Sequence, residues 1–472
     1  MRFIKALVRF LAWGLVLAIV SCSSIMTIKD QLKDINQQVA KRDFATALKI
    51  LEKGKAKYYE AKDRVMFYLD AGMLSHYAGD YAKSNEYLTR AEYAIEELYT
   101  ASVSKAIGSL LLNDNALDYS GEDYEDIYLN VFKALNYIHL GSFDDAMVEI
   151  KRISIKLNML EDKYRKLANE YNKDKDAKIK VKSGSNNFYN SALARYLSLI
   201  IYRAEGEWDS ARIDRDKIKE AFSRQANYYP FPQPNLDNAL VPNRNAKVTV
   251  ISFTGRSPDK VAVTLRLRSE KNALVIVPSK ENEQFRDEIK DFGIIEWQGI
   301  DPNYYFKLQF PVIKTFGSSV SGFRVIFTPV VSGQTVLKAN GSPLESIERV
   351  AKLTFEVKKP LIYLKTIIRT IVKGLIAAEG KKQIQKNTDD LTGALLNLAT
   401  DIVVDVSENA DLRISHFFPA QASIADVDVA PGVYNVVVEY YTKNGSVVFR
   451  DEKGEIEIKK NSVNLIESFY LE

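Results

Sequence analysis

Cysteine is all but missing from this 472-residue chain; the one copy stands at position 22. A disulfide framework is thereby excluded. Histidine is almost as scarce. The three copies, His76, His139 and His416, lie far apart and at no metal-ligand spacing, so neither a metal nor another cofactor is expected. Charge of one sign is lacking too: 65 basic residues against 61 acidic leave +4, no footprint of a nucleic-acid-binding protein. Gly-x-Ser-x-Gly, His-Glu-x-x-His and a phosphate-binding glycine loop do not occur. The expectation is therefore a protein that is not an enzyme. A paired-carboxylate hydrolase stays open, with Asp118, Glu122, Asp123 and Glu125 as its nearest candidates. What is abundant is apolar and aromatic matter: 46% apolar residues, with 26 Tyr and 22 Phe, enough for cores in two or three domains.

The first residues carry an address. Arg2, Lys5 and Arg9 precede an uncharged run, Phe10 to Ser21, that ends at Cys22. Basic, then apolar, then small residues make a secretory signal peptide over residues 1–21. The twelve uncharged residues fall short of the roughly 20 that span a bilayer. Ile19-Val20-Ser21-Cys22 resembles the lipobox of bacterial lipoproteins, which implies cleavage before Cys22 and its acylation. An ordinary signal peptide with an incidental cysteine is the plainer alternative. With Ser23 rather than Asp after the cysteine, the resemblance implies the outer membrane, most simply its periplasmic face.

From Ile25 to about Phe222 the apolar period is helical. Four segments share one shape, opening at Arg42, Gly79, Gly141 and Gly206 and spaced 37, 62 and 65 residues apart. They resemble the turn between the helices of a tetratricopeptide repeat, in which Gly closes the turn, an aromatic follows two residues later and a small residue three further on. The matching positions are Gly79, Tyr81 and Ser84, with Gly72 seven residues before the turn; Gly141, Phe143 and Ala146; Gly206, Trp208 and Ala211. The first unit has Arg42 where the glycine belongs. A generic helical bundle is the alternative reading. In a repeat stack the concave side would be left open to a protein partner. Asn113 to Tyr124, with Asp114, Asp118, Glu122 and Asp123, reads as a solvated acidic loop, and Lys173 to Lys182 as an exposed charged one.

Residues 228–245, with four prolines, form a linker, after which the period shortens towards two. Strands are expected at 247–253, 261–267 and near 273–277, 304–315, 322–328 and 350–357. A helix should start at Pro360 and run to about Lys386, with Leu361, Leu364 and Ile368 on its apolar face. Its basic stripe, Lys365, Arg369 and Lys373, would lie in solvent or pair with acids, and so wide an apolar face favours burial in protein over a membrane surface. A second short helix is expected at 389–400. Strands return at 401–406, 412–417, 433–441, 447–449, 454–459 and 463–469, with an Asn444-Gly445 hairpin turn.

The fold class expected is α+β: a tetratricopeptide-like helical domain over 22–227, then a mostly antiparallel, sandwich-like domain over 246–472 with helices inserted near 360–400. The whole order resembles a family of tetratricopeptide-like bacterial lipoproteins. The resemblance rests on Tyr119-Ser120-Gly121-Glu122-Asp123-Tyr124-Glu125, Phe310-Pro311, the basic helix at Arg369 to Lys373, Ala410-Asp411-Leu412-Arg413 and Pro431-Gly432-Val433-Tyr434. It implies an envelope scaffold that binds a protein partner, another lipoprotein among the candidates, and is held to the membrane by its N-terminal lipid. Cell-envelope or peptidoglycan assembly is the implied setting. The alternatives are a structural subunit of an export assembly and a glycan-acting hydrolase.

Overall fold

The computed structural model describes residues 32–104, 114–172, 184–241, 245–277, 294–331, 335–386 and 402–472. Cys22, the signal peptide expected over residues 1–21, the charged stretch 173–182 and the short helix expected at 389–400 lie outside them. The described residues up to Tyr58 and those from Tyr59 to Glu472 form two compact units.

The first unit holds α1 (Lys33–Ala40) and α2 (Phe44–Lys53). Asp43 caps α2 by accepting the Thr46 amide at 3.0 Å. Arg42 takes φ +62° between the two helices, the left-handed conformation that glycine takes in the other turns.

The second unit is mixed α and β, helices first and sheets after. Three helical hairpins come first: α3 (Arg64–Tyr77) with α4 (Tyr81–Ser104), α5 (Asp123–His139) with α6 (Phe143–Asn172), and α7 (Ala192–Glu205) with α8 (Trp208–Arg224). Their turns are closed by Gly79, Gly141 and Gly206 at φ +79°, +74° and +82°, where a side chain would strain the backbone. Gly72 serves a different end. A Cβ there would lie 2.6 Å from Leu88 Cδ2, so its absence lets α3 and α4 approach.

Among the described residues the strands form three sheets. One has the order β13 (Asn464–Tyr470), β1 (Ala246–Arg256), β10 (Pro419–Val429), β8 (Ser342–Ser346), with β13 parallel to β1. The next runs β12 (Val447–Ile458), β11 (Gly432–Tyr441), β6 (Gly322–Pro329), β7 (Leu337–Asn340). These two share a core of Val248 and Val250 from β1, Phe323 and Val325 from β6, and Val436 and Val438 from β11. The third is β4 (Ile294–Glu296), β3 (Ala273–Val277), β2 (Asp259–Glu270), β5 (Tyr304–Lys314), β9 (Ile402–Glu408). Gly445, at φ +83°, closes the β11–β12 hairpin in the expected place.

A 40-residue helix, α9 (Ile347–Lys386), ties the parts together. One side packs Tyr363, Ile367 and Ile371 against the third sheet; the other packs Val357, Leu361 and Leu364 on α6. The strand expected at 350–357 lies instead within the first three turns of this helix, because the buried Val350, Ala351, Thr354, Phe355 and Lys358 recur at spacings of three and four. Pro360 does not start the helix but sits exposed within it. There the N–H it lacks costs a bond only on the outer side. Gly184 fits against the same turn, donating its N–H to the Val357 carbonyl at 2.9 Å; a Cβ on it would meet the Glu356 oxygen at 2.8 Å.

Two more expectations fail. Residues 412–417 are not a strand but an irregular segment, and the strand of that region is β10, just after it. The pairs expected at 447–449 and 454–459 are one bulged strand, β12.

Burial within the hairpins is uneven. Of α3, 12 of 14 residues are buried, of α5 14 of 17 and of α7 10 of 14, against 5 of 17 in α8. The first helix of each pair is therefore enclosed, and the chain's own C-terminal half does much of the enclosing. Tyr77 on α3 donates to the Phe417 carbonyl at 2.7 Å, and His76 lies 3.0 Å from Glu467 on β13. On α5, Tyr128 donates to Glu345 at 2.5 Å and Phe132 packs on Phe253. Arg203 on α7 bonds Asp426 and Thr249, both at 2.9 Å. Glu467, Glu345 and Arg203 are buried, each with a partner at hand, the condition under which a charge is tolerated in a core.

Candidate functional site

Tyr119 to Glu125 leads into α5. Glu122 is the residue before its first turn, and Glu125 reaches back to accept the Glu122 amide at 2.7 Å, a reciprocal capping box. Both carboxylates are buried rather than solvated, as is Asp123. Glu125 also accepts the Tyr119 hydroxyl at 2.8 Å and the Ser415 amide at 2.6 Å. Burial, with Glu122 adding to it, raises the Glu125 pKa. Glu122 holds Lys358 at 2.6 Å and pairs with Lys260. Burial works against the Lys358 ammonium, but Glu122 and Asp123 outweigh it and raise its pKa. Asp123 takes Lys163 at 2.8 Å and the Tyr164 hydroxyl at 2.6 Å. Of the acids on this loop, only Asp118 is exposed.

The irregular segment between β9 and β10 is fastened to the helices residue by residue. Arg413 bonds Asp411 and Asp63, at 2.9 and 3.1 Å, and the carbonyls of Leu117 and Asp114. His416 gives its backbone N–H and places Nδ1 on the two oxygens of Asp70, each at 2.7 Å, and Tyr59 donates to the same carboxylate. Burial opposes the imidazolium, but Asp70 prevails and the His416 pKa rises. His416 thus belongs to Asp70, and Arg413 to Asp411 and Asp63; the three residues of this segment make no joint cluster.

These parts meet α9 and β5 around a cleft of about 350 Å³. Its wall takes Tyr119 to Glu122 from the cap, Pro311 from β5, Ala410, Asp411 and Arg413 from the irregular segment, and Lys365 and Arg369 from α9. Four of the five motifs noted in the sequence therefore border one space; Pro431-Gly432-Val433-Tyr434 opens β11 elsewhere. The basic stripe of α9 does not face open solvent. Arg369 is 2% exposed and reaches Asp114 at 3.5 Å, while Lys365 is half-buried. Tyr363, stacked on Phe310 at 4.2 Å, donates to the Pro311 carbonyl and fixes this turn of α9 on β5.

Beside the cleft, and sharing Ile95, Tyr99 and Lys163 with it, lies a groove of about 280 Å³ between α4 and α6. Tyr93, Ile155 and Met159 line it at 61, 56 and 54% exposure. Its floor is ionic. Glu92 on α4, fully buried, accepts Lys133 of α5 at 2.8 Å, Arg152 and Lys156 of α6 at 2.9 Å each, and Asn130 at 2.9 Å. Burial resists the charge, but Lys156 and Lys133 override it and hold the Glu92 pKa down to about 2.

The turn and packing residues read from the sequence fall where helices meet. Ala146 and Ala211 are fully buried, Tyr81 stacks on His139 at 4.3 Å, and Phe143 and Trp208 open α6 and α8 half-buried. The cleft's lysines could not be found this way. Lys163, Lys260 and Lys358 stand about a hundred residues apart, in a helix, a strand and another helix, so no local pattern joins them.

Chemically, the buried carboxylates described above are held by fixed donors: Glu125 by three, Glu122 by two lysines, Asp70 by a tyrosine and a histidine. Among the described residues no helix is long and apolar enough to cross a membrane, and no group of acids, histidines or cysteine is arranged to hold a metal. No protein-family model, curated protein or solved structure matches this chain.

Proposed function

We propose that this chain is a lipid-anchored envelope scaffold that binds a protein partner, and that the partner docks an apolar segment in the groove between α4 and α6. The observation that carries this reading is the exposure of Tyr93, Ile155 and Met159 side by side over a rigid ionic floor. Apolar side chains gathered in one groove on otherwise polar helices mark an interaction site more often than a chance surface. The three hairpins are taken as degenerate tetratricopeptide-like units and the first two sheets as a small sandwich. The inner side of such a stack is taken as the one enclosed by the chain's own C-terminal half through Tyr77, Tyr128 and Arg203. That leaves the outer groove for a guest. Catalysis forms no part of the proposal: of the four candidate acids, Glu122, Asp123 and Glu125 are engaged by the fold, and Asp118 stands exposed, apart from them.

The test is a double variant, Ile155→Asp with Met159→Lys, in cells. Both side chains are more than half exposed, so folding should be undisturbed. Loss of a specific co-isolated protein, with unchanged thermal unfolding, supports the reading. Retention of every co-isolated protein by the variant overturns it.

A further inference from the structure

Lys365 is the starting point. Of the six basic side chains that line the cleft, five have a carboxylate partner. Lys163 has Asp123, Lys260 and Lys358 share Glu122, Arg369 reaches Asp114, and Arg413 has Asp411. Lys365 lines the same space with no hydrogen bond or ion pair among the described residues. It stands one turn before Arg369 on α9, so both cations are presented by one rigid helix. A half-buried ammonium without a partner is disfavoured unless something supplies the missing acceptors. Burial lowers its pKa, with Arg369 adding to that and Asp114 opposing it, the state of a cation poorly matched by its surroundings. Among the described residues the lining acid without a partner is Asp118, which is exposed, so water screens its charge.

The rest of the wall gives the shape of what would complete it. Leu98, Tyr99, Leu117, Leu167 and Ile362 line the cleft half-buried, apolar surface left only partly covered. The volume of about 350 Å³ falls in the range of small-molecule sites. We propose that this cleft is a binding site for a small organic anion, its phosphate or carboxylate taken by Lys365 and Arg369 and its apolar body laid on Leu98, Tyr99 and Ile362. The site is separate from the protein-docking groove. The two share a wall at Ile95, Tyr99 and Lys163, yet the side chains that define each are different.

The experiment is calorimetric titration of the purified full chain, in a neutral detergent, with three probes. These are phenyl phosphate, inorganic phosphate as the head alone, and phenol as the body alone. The expected result is saturable binding of phenyl phosphate at least about tenfold tighter than either fragment, since a charge-assisted bond and a buried ring each contribute about a factor of ten. Lys365→Met should weaken phenyl phosphate by about tenfold or more, the share of one charged hydrogen bond, while leaving thermal unfolding unchanged or improved. Leu98→Asn should remove the advantage over inorganic phosphate and keep binding of the head. Equal affinity for phenyl and inorganic phosphate would overturn the proposal, as would a Lys365→Met protein that binds like the wild type. A folded Lys365→Met variant that loses the anion but keeps its protein partner separates this site from the groove.

Discussion

Replacing Glu92 by Gln tests whether the groove's floor is held by charge. The carboxylate is fully buried and holds Lys133, Lys156 and Arg152 around it, with Asn130 as a fourth donor. Its pKa falls from 4.5 to about 2 on folding. At about 1.4 kcal/mol per pKa unit, that corresponds to about 3 kcal/mol of stability at neutral pH. Removing one member of a buried ion pair costs about 3–5 kcal/mol when its partner is left alone. Here Lys133 retains Glu149 at 3.0 Å and Lys156 retains Asp126 at 2.7 Å, so the lower end applies. The assay is urea unfolding of wild type and Glu92→Gln from pH 7 down to pH 2, with hydrogen exchange on the α5 amides to locate the loss. Because the folded pKa is depressed, the contribution is complete above about 4.5 and fades as pH falls towards about 2. The two proteins should therefore differ by about 3 kcal/mol at pH 7 and converge near pH 2. A difference below about 1 kcal/mol at pH 7, or one that stays constant down to pH 3, would refute the argument.

Other outcomes follow from single contacts. Gly72→Ala places a methyl 2.6 Å from Leu88 Cδ2 and should cost about 1–3 kcal/mol by overpacking the α3–α4 contact, read as a lowered unfolding midpoint. The His416→Gln protein should lag the wild type most in acid. The raised His416 pKa means its ion pair with Asp70 contributes fully below about pH 6.5 and is lost as pH rises past the folded value. A stability gap between the two that grows with pH would contradict this. Cys22→Ser should move the protein from the membrane fraction to the soluble one on cell fractionation; a variant that stays with the membrane removes lipidation as the sole tether.

Much of the helical part was legible because its signals are local. Gly79, Gly141 and Gly206 announce turns through a conformation other residues avoid, and the structure adds Arg42 in the same conformation without the glycine. The strands β2, β5 and β11 were equally plain, since one face of each is buried and the period of two survives. Strand β10 was hidden. Between β1 and β8, its second half does alternate, Ala425, Val427 and Val429 against Asp426 and Asp428, but Ala420, Ala422 and Ser423 before it are small residues that give little apolar signal. Pro360 misled for the opposite reason, as a strong local signal overridden by packing on both sides of α9. The site was half legible. Its acidic and basic motifs stood out as short strings, but the reason they matter is that Glu125 meets Ser415 across 290 residues and Glu122 meets Lys260 and Lys358. Contacts at that separation leave no period in a single sequence.

The central claim is that the helices' inner side is filled by the chain itself and that guests use the outer groove. The most direct test is photocrosslinking in cells from single photoreactive residues at positions 93, 155 and 159, with position 77 as the enclosed control. Adducts to one dominant protein from the first three, and none from position 77, are the result expected. Adducts from position 77 together with silence at 93, 155 and 159 would contradict the account.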